Sequence, residues 1–371
     1  MRIFYRYLLR ELTLPLLAWL AFLFLMLFLM QFLRGSEVLL GSAVTAGDIG
    51  LLTLSLAPHF LVMAMPIAFL LAILLGLGRL SDDRELVAMN ALGVGPAQIL
   101  AVPVMGGVLL GGLLWLLVCT AEPRGLRRVK EVASDIIKKN VVADVKPGIF
   151  YEDLTQLTLY AEGVEPKAGR WRNILIHDDR DPASPLLVLA RDAQVRSDTP
   201  GEALTLLLRS GNVHRANRSS SDYTAISFER GEIAIGVEEP LWQKNRFPRS
   251  PSEELTPFEL LEAADAAEAA GEDGRRFRMG FYARVAQAFS PLAFAVLGTP
   301  LAMSRARGGR ARGFVLTLAG YVGYYVLSRV FEKMGVEGRL PFWLAGQLPN
   351  LLFLALGAFA LWRVTRAGTA R

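Results

Sequence analysis

The chain has 371 residues, of which 53% are hydrophobic and 20% are charged, and its formal net charge is +5. Soluble domains carry about 25% charged residues and rarely reach a mean hydropathy of +0.36. The composition therefore favours a membrane protein over a soluble enzyme or regulator. The small basic excess is poor support for nucleic-acid binding, and we expect no nucleic-acid partner.

Six apolar runs follow one another along the chain. About 20 apolar residues are needed to cross a hydrocarbon core of about 30 Å, and each run is of that order. The first run follows three arginines but exceeds the apolar core of about 7–15 residues that a signal peptide has, so we predict an uncleaved span. The predicted spans cover residues 12–33, 51–77, 97–119, 281–303, 313–332 and 343–362.

The arginines of the short loops and of the termini collect on one side of the membrane. Basic residues close to span ends stay in the cytoplasm, and these arginines share a side only if the chain has six spans. We therefore predict that both termini are cytoplasmic and that the long insert lies on the opposite side. The arginines are Arg2, Arg6, Arg10, Arg79, Arg84, Arg305, Arg307, Arg310, Arg312, Arg363, Arg366 and Arg371.

A long water-compatible stretch divides the chain into three parts. Residues 1–119 hold the first three spans, residues 120–280 lie outside the cytoplasm, and residues 281–371 hold the last three spans. From about residue 145 to 240, short strands are separated by turn signals about every 8–12 residues, which is typical of an antiparallel sandwich or roll. The predicted strands cover residues 148–152, 155–163, 171–178, 185–195, 203–215 and 222–236.

Alternation along these strands predicts which apolar side chains line the roll. Two uses of such side chains stay open, namely filling a core and contacting acyl chains. The residues are Leu157, Leu159, Ile174, Ile176, Leu187 and Leu189.

A helix start is visible after the strands. Thr256 is placed as the N-cap, Pro257 as the first helical residue and Glu259 as the partner of a capping box. We predict that this helix ends at Gly271.

The loop between the second and third spans, the elbow, is the sharpest local signal. We predict a short amphipathic helix at about residues 80–93, with Ser81 or Asp82 as its N-cap and Gly93 as its stop. Such a helix either docks into a groove of a soluble partner or lies flat in the lipid interface. Its first turn holds Asp82, Asp83 and Glu85, and its apolar side includes Leu86 and Met89.

No motif of a catalytic or cofactor site occurs. The chain has no Walker A, G-x-S-x-G or H-E-x-x-H pattern. Its three histidines are scattered and its one cysteine, Cys119, cannot form an internal disulfide. We therefore expect no catalytic residue, no metal and no cofactor. We interpret the chain as a subunit whose movement is powered by another protein.

Several segments occur in the order and topology of a known family. They are Arg6-Tyr7, the elbow residues 84–93, Pro147-Gly148-Ile149-Phe150, Arg284 with Pro291-Leu292-Ala293-Phe294 and Gly298-Thr299-Pro300-Leu301, and Gly338-Arg339-Leu340-Pro341 with Leu348-Pro349-Asn350. Together they resemble the lipopolysaccharide export permeases LptF/LptG over nearly the whole chain. The basic, glycine-rich loop 305–312 and the glycine-rich fifth span are more similar to the F-type subunit.

The resemblance implies an ABC-type transport subunit of the bacterial inner membrane. It implies a homologous G-type permease as partner, an ATPase subunit dimer that docks on the elbows, and periplasmic jellyroll bridge proteins that receive lipopolysaccharide from the outer leaflet. The insert would then hold a periplasmic β-jellyroll at about residues 145–240. The residues that would couple the chain to the ATPase are Asp83, Arg84, Glu85, Leu86, Met89 and Gly93.

Basic residues near the outer ends of the spans are candidates for the lipid phosphates. Arg34 ends the first span, where a guanidinium either binds phosphate bidentately or snorkels to the interface. The family places a basic residue after Gln31 at the rim of the cavity, which favours the first reading. The predicted substrate-binding residues are Gln31, Arg34, Arg124, Arg127 and Arg284.

Two alternatives stay open. One is another ABC-type lipid or lipoprotein permease, although such proteins usually have four spans and an insert after the first. The other is a non-transporting membrane scaffold for the β-domain, which would have no use for the elbow.

Overall fold

The computed structural model describes residues 2–39, 45–144, 147–154, 157–165, 169–179, 185–196, 204–216, 223–235, 251–303 and 309–369. They form two compact units. A helical unit consists of Met1–Leu29, Leu56–Gly125 and Ser250–Arg371, and a second unit, which contains a β-sheet, consists of Met30–Ser55 and Leu126–Arg249.

Six helices in the described part of the chain are long and apolar enough to cross a membrane, which confirms the predicted number. Most extend beyond the predicted spans, because the helical hydrogen bonds continue past the end of the apolar run. With the shorter helices included, the described α-helices are α1 (Arg2–Leu39), α2 (Ala46–Asp82), α3 (Glu85–Ala91), α4 (Pro96–Leu116), α5 (Glu122–Asp144), α6 (Pro257–Ala269), α7 (Arg275–Met303), α8 (Gly309–Val336) and α9 (Phe342–Thr369). The six spans lie in α1, α2, α4 with the beginning of α5, α7, α8 and α9.

The third span does not end where α4 ends. A π-helical turn, Leu117–Ala121, leads from α4 into α5 without a break, and the N–H of Glu122 donates to the carbonyl of Leu117. Pro123 follows directly, and it has no N–H to donate to a carbonyl one turn back. A wider turn at this point keeps the helix continuous.

Glycines bring the backbone of α4 against that of α7. A Cβ added at Gly107 would lie 3.0 Å from Leu292 Cα, and one added at Gly111 would lie 2.6 Å from the carbonyl oxygen of Ala288. The G-x-x-x-G pattern of this span therefore serves packing inside the chain.

A buried polar network joins three spans. Asn350 of α9 donates from its side-chain amide to the carbonyl of Ala286 in α7 at 2.9 Å, and accepts from the Tyr324 hydroxyl of α8 at 3.0 Å. Pro291 leaves the Gln287 carbonyl without its helical donor, and the Ser290 hydroxyl donates to that carbonyl at 2.8 Å. Polar groups inside a membrane need such partners, so these bonds fix how the three spans pack.

A six-stranded antiparallel sheet lies in the chain between the third and fourth spans, as predicted. Each strand pairs with its neighbours in sequence. Its strands are β1 (Phe150–Leu154), β2 (Leu157–Glu165), β3 (Arg170–Asp178), β4 (Leu186–Arg196), β5 (Leu204–Ala216) and β6 (Tyr223–Ile235).

The core of the sheet lies on one face. Leu157, Leu159, Ile174 and Ile176 are buried in it. Leu187 and Leu189 are not part of this core, and their assignment to the lining of the roll stays a prediction. Their neighbours Val188 and Ala190 hold the buried positions of β4, while Leu189 is 37% exposed. The run of apolar residues 186–190 has no alternation, so period alone could not choose its buried face.

The inward-facing positions shift by an odd number of residues in five neighbouring strands. In β3 the buried residues Trp171 and Ile174 flank Asn173, whose φ is 48°, and in β5 a φ of 51° at Ser210 follows Leu208. A straight strand keeps a period of two, so the backbone leaves regular strand geometry here, while the pairing register is the same on both sides of the step. The inner positions on the two sides of the shift are 161 and 164, 171 and 174, 190 and 193, 208 and 213, and 228 and 233.

Candidate functional site

The elbow contains a short helix that begins later than predicted. The helical bonds of α2 continue to Asp83, whose N–H donates to the Arg79 carbonyl at 2.9 Å. Arg84 follows in the left-handed region, with a φ of 60°, and α3 starts at Glu85 without a side-chain cap. Ser81 and Asp82 therefore belong to α2, the predicted N-cap was wrong, and only Glu85 lies in the first turn of α3.

Gly93 ends the elbow helix as predicted. Its φ is 89°, a value that favours glycine. The N–H of Gly93 donates to the Asn90 carbonyl and the N–H of Val94 donates to the Met89 carbonyl, both at 3.0 Å. Val94 and Met89 also pack on the helical core. This closure sets the direction in which the chain enters α4.

The apolar residues of the elbow helix fall on two sides with different surroundings. Leu86 is only 4% exposed and Met89 packs on the core of the helical unit, so these two anchor the elbow. The outer apolar residues are Val87, which is 65% exposed, and Leu92, which is 85% exposed. In the sequence, the outer apolar side was indicated by Ala88 and Leu92, which lie four residues apart and therefore on one face of a helix.

Charged groups tie the elbow to the first helix. The hydroxyl of Tyr7 donates to Oε2 of Glu85 at 2.6 Å, across 78 residues. The guanidinium of Arg79 lies 3.2 Å from Glu11 and 3.7 Å from Asp83. Glu85 is thus held within the chain, and Tyr7 and Glu11 are site residues that reasoning from helical spacing missed.

The same end of α1 packs directly on α2. Leu8 and Leu12 are buried in the helical core. A Cβ added at Gly76 of α2 would lie 2.8 Å from the carbonyl oxygen of Glu11, so the two backbones touch. The elbow therefore rests on a platform formed by the beginning of α1 and the end of α2.

Arg284, one of the predicted substrate-binding residues, is already bound within the chain. Its guanidinium donates to the carbonyl of Leu255, and at 2.9 Å to that of Glu253, in the segment before α6. Close by, His59 and Glu122 form a 2.9 Å pair. The structure thus gives Arg284 a structural role, and its assignment to the lipid stays a prediction.

The other predicted substrate-binding residues belong to two helices, Gln31 and Arg34 to α1 and Arg124 and Arg127 to α5. Gln31 is half-buried in α1, while the side chain of Arg34 lies outside the described residues. Arg124 is exposed and Arg127 is half-buried on the continuous helix formed by α4 and α5. Their assignment to the lipid stays a prediction.

Burial raises the pKa of Glu253 above its ordinary value, because leaving water disfavours a carboxylate. The neighbouring carboxylate of Glu122 acts in the same direction, whereas His59, Arg284 and Arg329 oppose it. Among the described residues, no group of three or more His, Cys, Asp or Glu side chains is placed to hold a metal ion.

Comparison with known proteins identifies the family. The family model described as lipopolysaccharide export system permease LptF/LptG matches residues 6–363. A search among curated proteins gives no match. The family model covers both subunit types, so the preference for the F-type stays a prediction. Six spans, a sheet between the third and fourth of them, and a match over nearly the whole length agree: this chain belongs to the LptF/LptG family of lipopolysaccharide export permeases.

Proposed function

We propose that this inner-membrane permease is one half of an ABC-type export complex and that a separate ATPase drives it through the elbow. The observation that carries the proposal is the two-sided elbow helix. Leu86 and Glu85 fix its inner side to the bundle, while Val87 and Leu92 are offered outward. A short helix whose inner side is fixed to the bundle and whose outer side is apolar is suited to docking into a groove on a soluble protein.

The proposed orientation follows from the arginines of the short loops. Both termini and the elbow are cytoplasmic, and the sheet is periplasmic. The chain pairs with a homologous G-type permease, and lipopolysaccharide passes from the outer leaflet to the sheet domain and on to periplasmic jellyroll proteins. Family membership and the order of spans and sheet support this arrangement.

In the proposed substrate contacts, phosphate groups of the lipid bind to arginine side chains. Arg34, Arg124, Arg127 and Arg284 are candidates, because guanidinium binds phosphate with paired hydrogen bonds. Gln31 is included because the family places a basic residue after it at the rim of the cavity. The chain itself performs no chemistry in this proposal, and ATP hydrolysis belongs to the partner. A transport subunit of this kind contributes binding surfaces and movement.

Co-purification tests the docking step. The tagged chain is expressed with its candidate partner permease and ATPase, and the purified complex is analysed by mass spectrometry for protein and bound lipid. We expect Val87→Glu with Leu92→Glu to reduce the recovered ATPase at least about ten-fold, a loss of about 1.4 kcal/mol in binding.

The matched control is Ile226→Glu in β6 with Phe258→Glu in α6, which places two glutamates on other exposed apolar residues. It is expected to leave ATPase recovery unchanged. Full recovery with the Val87 and Leu92 variant would reject the elbow as the docking element. A wild-type chain that brings down neither ATPase nor lipopolysaccharide would favour the scaffold.

A further inference from the structure

The first helix has two parts with different surroundings. Its first turns carry Tyr7, Leu8 and Leu12 against α2 and the elbow. Further along, Leu17 and Leu25 are more than half exposed within the helical unit. The later part still makes individual contacts, with Leu20 packed on the cluster that contains Val62 and the ring of Phe24 lying 6.0 Å from that of Phe60. The fully buried side chains of α1, however, lie at the end that touches the elbow.

A proline marks the boundary between these two parts. Pro15 lies inside α1 and cannot donate to the carbonyl of Glu11, one turn earlier. That carbonyl is the group that faces Gly76 of α2. A helix bends most easily where its hydrogen-bond ladder is interrupted, so the bending point lies directly after the part that is held.

Two side-chain contacts cross from this held part to the elbow region. The Arg79–Glu11 pair is weak, because Arg79 is about half exposed and exposed ion pairs contribute little. The Tyr7–Glu85 bond is stronger, because a short, partly buried hydrogen bond to a carboxylate is among the strong ones. Glu85 is the first residue of α3, so this bond reaches the elbow helix itself.

We propose that Tyr7 is a positioning residue that transmits displacement of the elbow helix to the first span. This rests on the proposed function, in which an ATPase moves the elbow. The Tyr7 hydroxyl holds the Glu85 carboxylate, so the beginning of α1 follows α3. Bending at Pro15 then changes the direction of the remaining length of α1, which has fewer buried side chains.

The test compares Tyr7→Phe with Tyr5→Phe in the complete complex of this chain, its partner permease and the ATPase. Both changes remove one hydroxyl from the same turn of α1, but Tyr5 lies on the exposed side. We expect Tyr7→Phe to retain bound ATPase and ATP hydrolysis. The amount of purified lipopolysaccharide moved per ATP in proteoliposomes falls about ten-fold, as loss of a bond of about 1.4 kcal/mol would give. Tyr5→Phe behaves as wild type.

A spin label reports the movement itself. The native Cys119 is replaced by alanine, and a label is attached at Leu25→Cys, beyond the proline. We expect an ATP-dependent spectral change in the wild-type and Tyr5→Phe backgrounds and its loss with Tyr7→Phe. A Glu11→Gln variant, which removes only the exposed ion pair, is expected to keep most of the change.

The outcomes separate this inference from the proposed function. If the wild-type complex transports but Tyr7→Phe keeps both the transport per ATP and the spectral change, Tyr7 is not the link and only this inference falls. If Tyr7→Phe releases the ATPase, Tyr7 belongs to the docking surface and the inference is also wrong. A wild-type chain that never binds an ATPase overturns both.

Discussion

Arg284 reaches across 31 residues and donates a 2.9 Å hydrogen bond to the main-chain carbonyl of Glu253. Together with its bond to Leu255, this contact ties the segment before α6 to the fourth span. This contact predicts a structural role for Arg284 that can be measured separately from a role in lipid binding.

Arg284→Met is expected to lower the free energy of unfolding by about 2–3 kcal/mol, because two carbonyls lose a charged donor. Thermal unfolding of the purified protein in detergent measures the loss. Arg124→Met, which changes an exposed arginine, is the control and is expected to unfold like wild type. Unchanged stability combined with weaker lipopolysaccharide binding in Arg284→Met would restore the substrate role.

Adjacent glycines in α4 provide a sharp test of packing. Gly111→Ala is expected to destabilise the protein by about 1–3 kcal/mol, because the added methyl group meets the Ala288 carbonyl oxygen and the helices must move apart. Gly112→Ala is expected to be neutral or slightly stabilising, since no atom lies within 4 Å of its added Cβ. Thermal unfolding of both variants decides the point, and equal effects would contradict the close α4–α7 contact.

Glu253 gives a pH dependence with a defined sign. Its folded pKa is raised, so the folded state holds the proton more tightly than the unfolded chain. Stability then falls as pH rises from the ordinary glutamate pKa of about 4.3 towards the folded value. Glu253→Gln is expected to match wild type near the bottom of this window and to become the more stable protein above it.

Melting temperatures of the wild-type protein and of Glu253→Gln, measured in detergent between about pH 4 and pH 7, test the direction of this stability change. Glu262→Gln, at an exposed carboxyl of α6, is the control for loss of a negative charge. A wild-type protein that gains stability over Glu253→Gln as the pH rises would show that the attraction of Arg284 outweighs burial.

The sheet offers a paired test of its core. Ile176→Ala is expected to cost about 2–5 kcal/mol, the range for a buried aliphatic side chain, because Ile176 is fully buried. Leu189→Ala, on the opposite face of β4, is expected to cost far less. Proteolysis of the sheet domain at increasing temperature measures both changes. Equal losses would show that Leu189 belongs to a core after all.

Local patterns were predictable from the sequence. The Thr256 capping box is present, with the Thr256 N–H donating to Glu259 at 2.7 Å and the Glu259 N–H donating to the Thr256 hydroxyl at 3.3 Å. The stop at Gly93 and the six spans are equally local, because a few neighbouring residues determine each of them. The order of spans and insert follows from the apolar runs, whereas the expected partners came from the family resemblance.

Long-range relationships were not predictable in this way. The Tyr7–Glu85 bond and the Arg284 contacts join residues that are far apart in the chain, and no periodicity links them. The elbow N-cap failed for a different reason: the i→i−4 bonds of α2 continue through two plausible capping residues, and helix propagation outweighed a side-chain cap.

The shift of inner positions across β2 to β6 has a consequence for evolution and for engineering. A one-residue slip normally turns every side chain of a strand to the other face. Here each strand already contains one odd step, at Asn173 in β3 and around Ser210 in β5. Deleting Ser210 would shorten the step from Leu208 to Val213 from five residues to four, which suits a straight strand. It would also move one half of β5 one residue out of register with β4 and β6, which keep their odd step. The inward-facing side chains at the two ends of each strand are thus set separately. Insertions or deletions at the odd step are the length changes that this sheet can least tolerate.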